Sequence, residues 1–126
     1  MPGNHDVVAT VGYSDGIQVC DVTSTGAAQR PLTVSLVNNV YEGSVLAWGS
    51  STDLYSNDEG LSPSSFHRFT VGPTSFAETD STYLDAIGGK ITYSGGLVFS
   101  DGGGVLDPSP VPPVTPRLVG RCHCVY

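Results

Sequence analysis

The amino-acid sequence predicts one small all-β domain, an antiparallel β-sandwich or partly open barrel, and three observations carry that prediction. Short apolar runs alternate with polar residues, as half-buried strands require. Turn formers punctuate those runs, with 16 Gly and nine Pro in 126 residues. Helix-forming material is scarce: the chain has one Met and one Lys, while Ser and Thr, which suit turns and strands, are abundant.

Val7–Tyr13 and Ile17–Thr23 read as strands around Ser14-Asp15-Gly16. Asp-Gly between β-branched runs signals a hairpin, because Gly reaches positive φ without a Cβ clash. Ile17 and Val19 share one face of the second strand, and Cys20 and Val22 the other, so burial on both sides is expected. Ser24–Arg30 reads as a polar connection, and Pro31 belongs at a strand's start or edge. Leu32, Val34 and Leu36 then alternate with Thr33 and Ser35, the cleanest period-two run in the chain. Asn38-Asn39 interrupts it as a bulge or turn. A strand carrying Val45, Leu46, Ala47 and Trp48 follows, with the single Trp expected to anchor the core.

Ser50–Ser65 is the longest polar stretch and reads as a loop, of a length that is often functional. His67–Gly72 is a strand, with Phe66, Phe69 and Val71 supplying core. At most one short helix is expected, near 81–87, capped by Ser81 and ended by Gly88. Lys90–Ser94 and Leu97–Ser100 form a second hairpin through Gly95-Gly96, and Gly102–Gly104 is a loop. The segment 107–116 holds five prolines and is expected to run as a stiff polyproline strap. It leads into a last strand, Arg117–Tyr126. The total is about eight strands with no parallel crossover, in a single domain spanning 1–126.

Charge is sparse and one-sided, with 12 Asp plus Glu against five Lys plus Arg, a net charge of −7. That field repels phosphate backbones and anionic lipid heads, so nucleic acid is not an expected partner. No apolar stretch approaches the roughly 20 residues of a transmembrane helix.

Cys20, Cys122 and Cys124 are the disulfide candidates. An odd count implies a free thiol, an intermolecular bridge or no disulfide at all. Cys122 and Cys124 fall on one face of a strand, where joining them to each other would be strained. A bond from Cys20 to one of them is the expectation, and it places the protein outside the cell rather than in the cytoplasm. The opening residues Met1 to Asp6 lack the basic and apolar regions of a signal peptide.

Several motifs carry chemistry elsewhere and are expected not to here. Gly12-Tyr13-Ser14-Asp15-Gly16 matches the Gly-x-Ser-x-Gly nucleophile pattern, but that motif needs a helix after the serine, and Ile17–Thr23 favours a strand. Cys122-His123-Cys124, with His5 and His67, offers soft ligands without the Cys-x2–4-Cys spacing of a zinc site, so no metal is expected. Asp53–Gly60 superficially matches a calcium loop, yet Tyr55 and Asp58 stand at its third and sixth positions and break the register. The PxxP spacing of Pro110–Pro116 reads as a structural strap rather than a ligand. Leu32–Gly49, with its alternating strand, Asn pair and Trp48-Gly49, generically resembles the early strands of aegerolysin-type fungal sandwiches. That run covers under a fifth of the chain, lacks the later Cys- and Trp-rich stretch of those proteins, and assigns no family.

The sequence therefore points to a non-enzymatic binding or recognition protein acting through surface loops, of the lectin, effector, inhibitor or receptor-ligand kind. Tyr41, Asp53, Tyr55, Asp58 and Glu59 are the candidate binding residues, because tyrosines give rigid contact area with a polar tip. The expected partner is a protein receptor or a carbohydrate, with no cofactor. Two alternatives stand beside this reading. One is a membrane-lipid-binding sandwich, which the aegerolysin resemblance would imply. The other is a small hydrolase built from Asp53, Asp58, Glu59 and Asp85.

Overall fold

Each of the three sheets is made from one contiguous piece of chain. The structure is a computed structural model that describes residues 1–4, 6–12, 16–36, 44–58, 65–84 and 86–122. Among them, β1 (Val7–Gly12), β2 (Gly16–Thr23) and β3 (Gly26–Arg30) form an antiparallel meander. The chain then enters a five-stranded sheet made of β4 (Leu32–Val34), β5 (Ser44–Trp48), β6 (Asp53–Asp58), β7 (Ser65–Val71) and β8 (Phe76–Tyr83), in the order β4-β8-β7-β6-β5. A second meander, ordered β12-β11-β10-β9, comprises β9 (Ile91–Ser94), β10 (Leu97–Ser100), β11 (Gly104–Asp107) and β12 (Arg117–Arg121).

The five-stranded sheet is the middle layer. Register places Leu54, Ser56, His67, Phe69 and Phe76 on one of its faces, and Tyr55, Asn57, Phe66 and Arg68 on the other. The first face packs Leu54, Phe69, Val71 and Phe76 against Val7, Ile17 and Val19 of the β1–β3 sheet, with Leu46 and Trp48 beside them. The second packs Tyr55 and Phe66 against Ile87, Ile91, Val98 and Leu106, mostly of the β9–β12 sheet. A sheet covered on both faces has no solvent side, so β6 and β7 are buried almost throughout. Each fully buried Phe contributes roughly 2–3 kcal/mol of transfer free energy.

Turn chemistry matches the two expected hairpins. Gly95 and Gly96 hold φ of 60° and 84° between the paired Ser94 and Leu97, the double left-handed geometry of a type I′ turn. β1 pairs with β2 as far as Gly12↔Gly16, where Gly16 has φ 69°. The Gly-x-Ser-x-Gly run therefore ends in a strand, although residues 13–15 lie outside the described ones.

The all-β class holds, with corrections in detail. There are 12 strands among the described residues rather than about eight, and none of these residues is helical. Residues 81–83 continue β8 because Ser81, Thr82 and Tyr83 pair with His67, Phe66 and Ser65. Ile87 N donates to Leu84 O at 3.1 Å, which closes a single turn and goes no further. Residues 26–30 form β3 rather than a polar connection, and 104–107 form β11.

β4 pairs in parallel with β8, against the expectation of purely antiparallel pairing. It is the short edge strand that Pro31 permits, and Val34 and Leu36 are exposed. β4 and β5 lie at opposite edges of the middle sheet, so 32–49 does not form adjacent strands. β2 is buried on one face only, with Val22 exposed. No helix is long and apolar enough to cross a membrane.

Candidate functional site

Two polar constellations occupy opposite faces of the middle sheet, and a bulge in β8 separates them. Phe69 pairs with Glu78, whereas Arg68 pairs with Asp80, which leaves Thr79 without a partner across the strand. An extra residue reverses the in–out alternation beyond it. Glu78 is thereby brought to the face of His67, and Asp80 to the face of Arg68. The Thr79 hydroxyl donates to Arg68 O at 3.1 Å and closes the bulge.

On the first face, His67 is fully buried between two buried carboxylates. Its Nδ1 lies 2.6 Å from Glu78 Oε1, and its Nε2 lies 3.1 Å from each oxygen of Asp58. Burial disfavours the imidazolium, but the hydrogen bonds it donates to Asp58 and Glu78 outweigh that cost and raise the His67 pKa to about 9. At neutral pH His67 is a charged donor on both nitrogens. Glu78 Oε2 also accepts from Leu36 N at 2.7 Å, which ties the segment after β4 to this cluster. Ser56 sits opposite His67 in register, but both imidazole nitrogens already face carboxylates. The arrangement is a buried ion cluster, not an activated serine.

On the second face, Arg68 is buried and holds the proline segment from beneath. Its Nε donates to Asp80 Oδ2 at 3.0 Å, and its Nη2 lies 2.9 Å from the same oxygen. Its Nη1 donates to Pro108 O at 3.1 Å and to Pro110 O, and its Nη2 donates to Val114 O at 2.6 Å. Five N–H donors in a rigid fork let one guanidinium do all of this. The strap is therefore pinned rather than a free polyproline rod. It also turns, since Val114 N donates to Val111 O at 3.0 Å.

Between strap and sheet lies a cavity of about 710 Å³. Asp53, Tyr55, Arg68 and Thr70 line the sheet side, Tyr93 and Gly96 belong to the β9–β10 hairpin, and Asp107 to Pro112 form the strap side. Tyr55 is 7% exposed and its ring stands between Phe66 and Tyr93, with centroids at 5.6 and 5.9 Å. Its hydroxyl has no hydrogen-bond partner among the described residues. Burial, followed by the negative charge of Asp53, pushes the Tyr55 pKa up to about 12, so the hydroxyl keeps its proton.

No family model, curated protein or solved structure matches the chain. The site is accordingly read from its own chemistry.

Two of the candidate binding residues, Asp53 and Tyr55, do meet in this cavity. Asp58 shares their strand but points to the opposite face, into the His67 cluster. Tyr41, Glu59 and Asp85 lie outside the described residues. The carboxylates of the hydrolase alternative that can be located, Asp53 and Asp58, therefore do not share a cleft. Asp53–Asp58 is a buried strand rather than a calcium loop or part of a long surface loop. Among the described residues, no group of three or more His, Cys, Asp or Glu is placed to hold a metal ion.

The expected disulfide from Cys20 is absent. Cys20 and Cys122 are both free thiols, and Cys124 lies outside the described residues. The reason is topological. Cys20 pairs with Val8 and Gln29 in the first sheet, whereas Cys122 follows β12 at the edge of the last one.

Sequence reading missed Arg68 as a structural hub. The available signal was its place between His67 and Phe69 in an apolar run, since an Arg that must be buried needs partners.

Proposed function

We propose that this chain is a non-enzymatic binding protein whose ligand occupies the cavity between the middle sheet and the proline strap. The observation that carries the reading is the cavity of about 710 Å³ itself, walled by the rings of Tyr55 and Tyr93 and the strap prolines, with the Tyr55 hydroxyl and the Asp53 carboxylate facing it. Ligand pockets commonly span about 300–1,000 Å³, with mainly apolar walls and a few convergent polar groups. Arg68 supports the reading as well, because pinning three strap carbonyls keeps the cavity roof preformed and lowers the ordering cost of binding.

The test is a ligand screen followed by heteronuclear NMR on the whole chain, using a mixed library of amines, polyols, acids and short peptides. Binding should shift the amides of Tyr55, Tyr93 and Val111 together. The variant Thr70→Trp, which fills the cavity from an exposed position on β7, should abolish those shifts without unfolding the domain. Shifts that arise elsewhere, or that survive Thr70→Trp, refute the reading.

A further inference from the structure

We propose that the cavity takes a neutral saccharide, either a free single ring or the terminal ring of a glycan. The inference rests on the binding reading above and names the ligand class of that same site.

The floor of the cavity is a patch of one sheet face. Asp53 and Tyr55 are two residues apart on β6, so their side chains rise on the same side, roughly 6.5 Å apart along the strand. Thr70 pairs with Asp53 across β6 and β7, which sets their Cβ atoms about 4.5–5.5 Å apart. A carboxylate and two hydroxyls are thereby gathered on one rigid surface, and Tyr93 of the neighbouring hairpin adds a third hydroxyl. None of these three hydroxyls has a hydrogen-bond partner among the described residues.

The turn and the packing fix this floor before any ligand arrives. Asp53 Oδ2 accepts from Ser50 Oγ at 2.8 Å, and Asp53 N donates to the same Oγ at 3.0 Å, which leaves Oδ1 to accept from a ligand. The Tyr55 ring stands between Phe66 and Tyr93 and is seated against Gly49, where a Cβ would come within 2.5 Å of it. Its faces are occupied, so its hydroxyl is what it offers. The roof is apolar, made by Pro108, Pro110, Val111 and Pro112.

A hydroxyl both donates and accepts, whereas a carboxylate only accepts. Three hydroxyls and a carboxylate therefore pair best with a ligand whose own groups do both. A saccharide ring has that make-up: hydroxyls around its rim for the floor, and C–H faces for the prolines of the roof. Other classes meet the cavity less well. Anions are repelled by Asp53 and Asp107 and by the net charge of −7. An ammonium only donates and leaves the hydroxyl hydrogens without an acceptor. A wholly apolar ligand strips water from the floor and replaces none of its hydrogen bonds, which is costly. An extended peptide adds to a sheet edge through its main chain, but the floor is a sheet face. The carbonyls of Pro108 and Pro110 are also committed to Arg68, and prolines have no N–H to offer.

The experiment is heteronuclear NMR titration of the whole chain with the methyl glycosides of glucose, galactose, mannose and N-acetylglucosamine, beside a glycan array. Cyclohexanol, a six-membered ring with one hydroxyl, and n-butylammonium are the comparators. Equal affinity for a methyl glycoside and for an array glycan ending in that ring identifies a free ring as sufficient, and tighter binding of the glycan identifies a chain end. The expected result is saturable shifts at Asp53, Tyr55, Thr70 and Tyr93, at least tenfold tighter than with cyclohexanol and unchanged by added salt. Asp53→Asn should weaken binding by about tenfold or more. Thr70→Val, which exchanges an exposed hydroxyl for a methyl, should weaken it severalfold. Should Asp53→Asn unfold the domain, Thr70→Val and the cyclohexanol comparison decide instead. Comparators that bind as tightly as the saccharides, or saccharide shifts that both variants leave unchanged, overturn the proposal. If glycosides and array are silent while the broad library yields a ligand blocked by Thr70→Trp, this proposal falls and the binding reading stands. If every probe is silent, both fall.

Discussion

Glu78 and Asp80 are two residues apart on one strand and yet point to opposite faces of the middle sheet. Glu78 meets His67 at 2.6 Å on one face, and Asp80 meets Arg68 at 2.9 Å on the other. Regular alternation would put both on the same side. The unpaired Thr79 reverses it, so one extra residue supplies each of two neighbouring cations on β7, His67 and Arg68, with its own carboxylate.

Deleting Thr79 should therefore cost far more than losing one half-buried side chain. Either Glu78 leaves His67 or Asp80 leaves Arg68, and a buried charge without its partner costs about 3–5 kcal/mol. Thr79→Val keeps the extra residue and loses only the hydroxyl contact to Arg68 O, worth about 1 kcal/mol. Urea denaturation of both variants checks this. Equal midpoints would show that the bulge does not set the pairing.

How much of this was legible in the sequence follows from what kind of signal each element carries. The Gly95-Gly96 hairpin was readable because its turn is local: two glycines between β-branched runs specify one geometry. β6 was not readable, since Asn57 and Asp58 bond to groups distant in the chain, Gly89 O and His67, and hydrophobic periodicity cannot see a polar partner. The same blindness hid Arg68. Conversely, the clean alternation of Leu32 to Leu36 became a short edge strand, because pattern alone does not say what will cover a face. Tyr55 and Asp53 fall inside the loop expected over Ser50–Ser65, and they meet in the cavity by way of a buried strand.

His67 makes stability pH-dependent in a defined window. Its folded pKa is raised to about 9 from the ordinary value of 6.5, so the folded state holds a proton that the unfolded chain releases as pH rises past 6.5. The stabilisation is complete below 6.5 and is lost progressively up to about 9. The shift corresponds to roughly 3 kcal/mol. Unfolding free energies measured from pH 6 to 9.5 should fall by that order, and the fall should vanish in His67→Phe if that variant folds. NMR titration of the wild-type ring gives an independent reading, and a midpoint near 6.5 would contradict the buried ion cluster.

The thiols should be reactive without reductant. Cys122 is exposed and Cys20 half-buried, so a thiol reagent added to native protein should modify Cys122 quickly and Cys20 more slowly. Cys20→Ser should shift the melting temperature by only a degree or two, because no cross-link is lost. A large drop, or a mass change on reduction that maps to Cys20, would point to a disulfide instead.

Arg68 tests the link between the middle sheet and the strap. Arg68→Met keeps much of the volume but orphans Asp80 and frees the carbonyls of Pro108, Pro110 and Val114. Removing one partner of a buried ion pair costs about 3–5 kcal/mol. Because the loss falls on one face, it should be local before it is global. Hydrogen exchange at Val114, whose N–H donates to Val111 O, should speed up well ahead of exchange in β1 and β2. Arg68→Lys restores the charge but has a single nitrogen where the guanidinium has three. It should recover the pairing with Asp80 and only part of the strap's protection. Full recovery by lysine would mean that charge, rather than the fork of donors, holds the strap over the cavity.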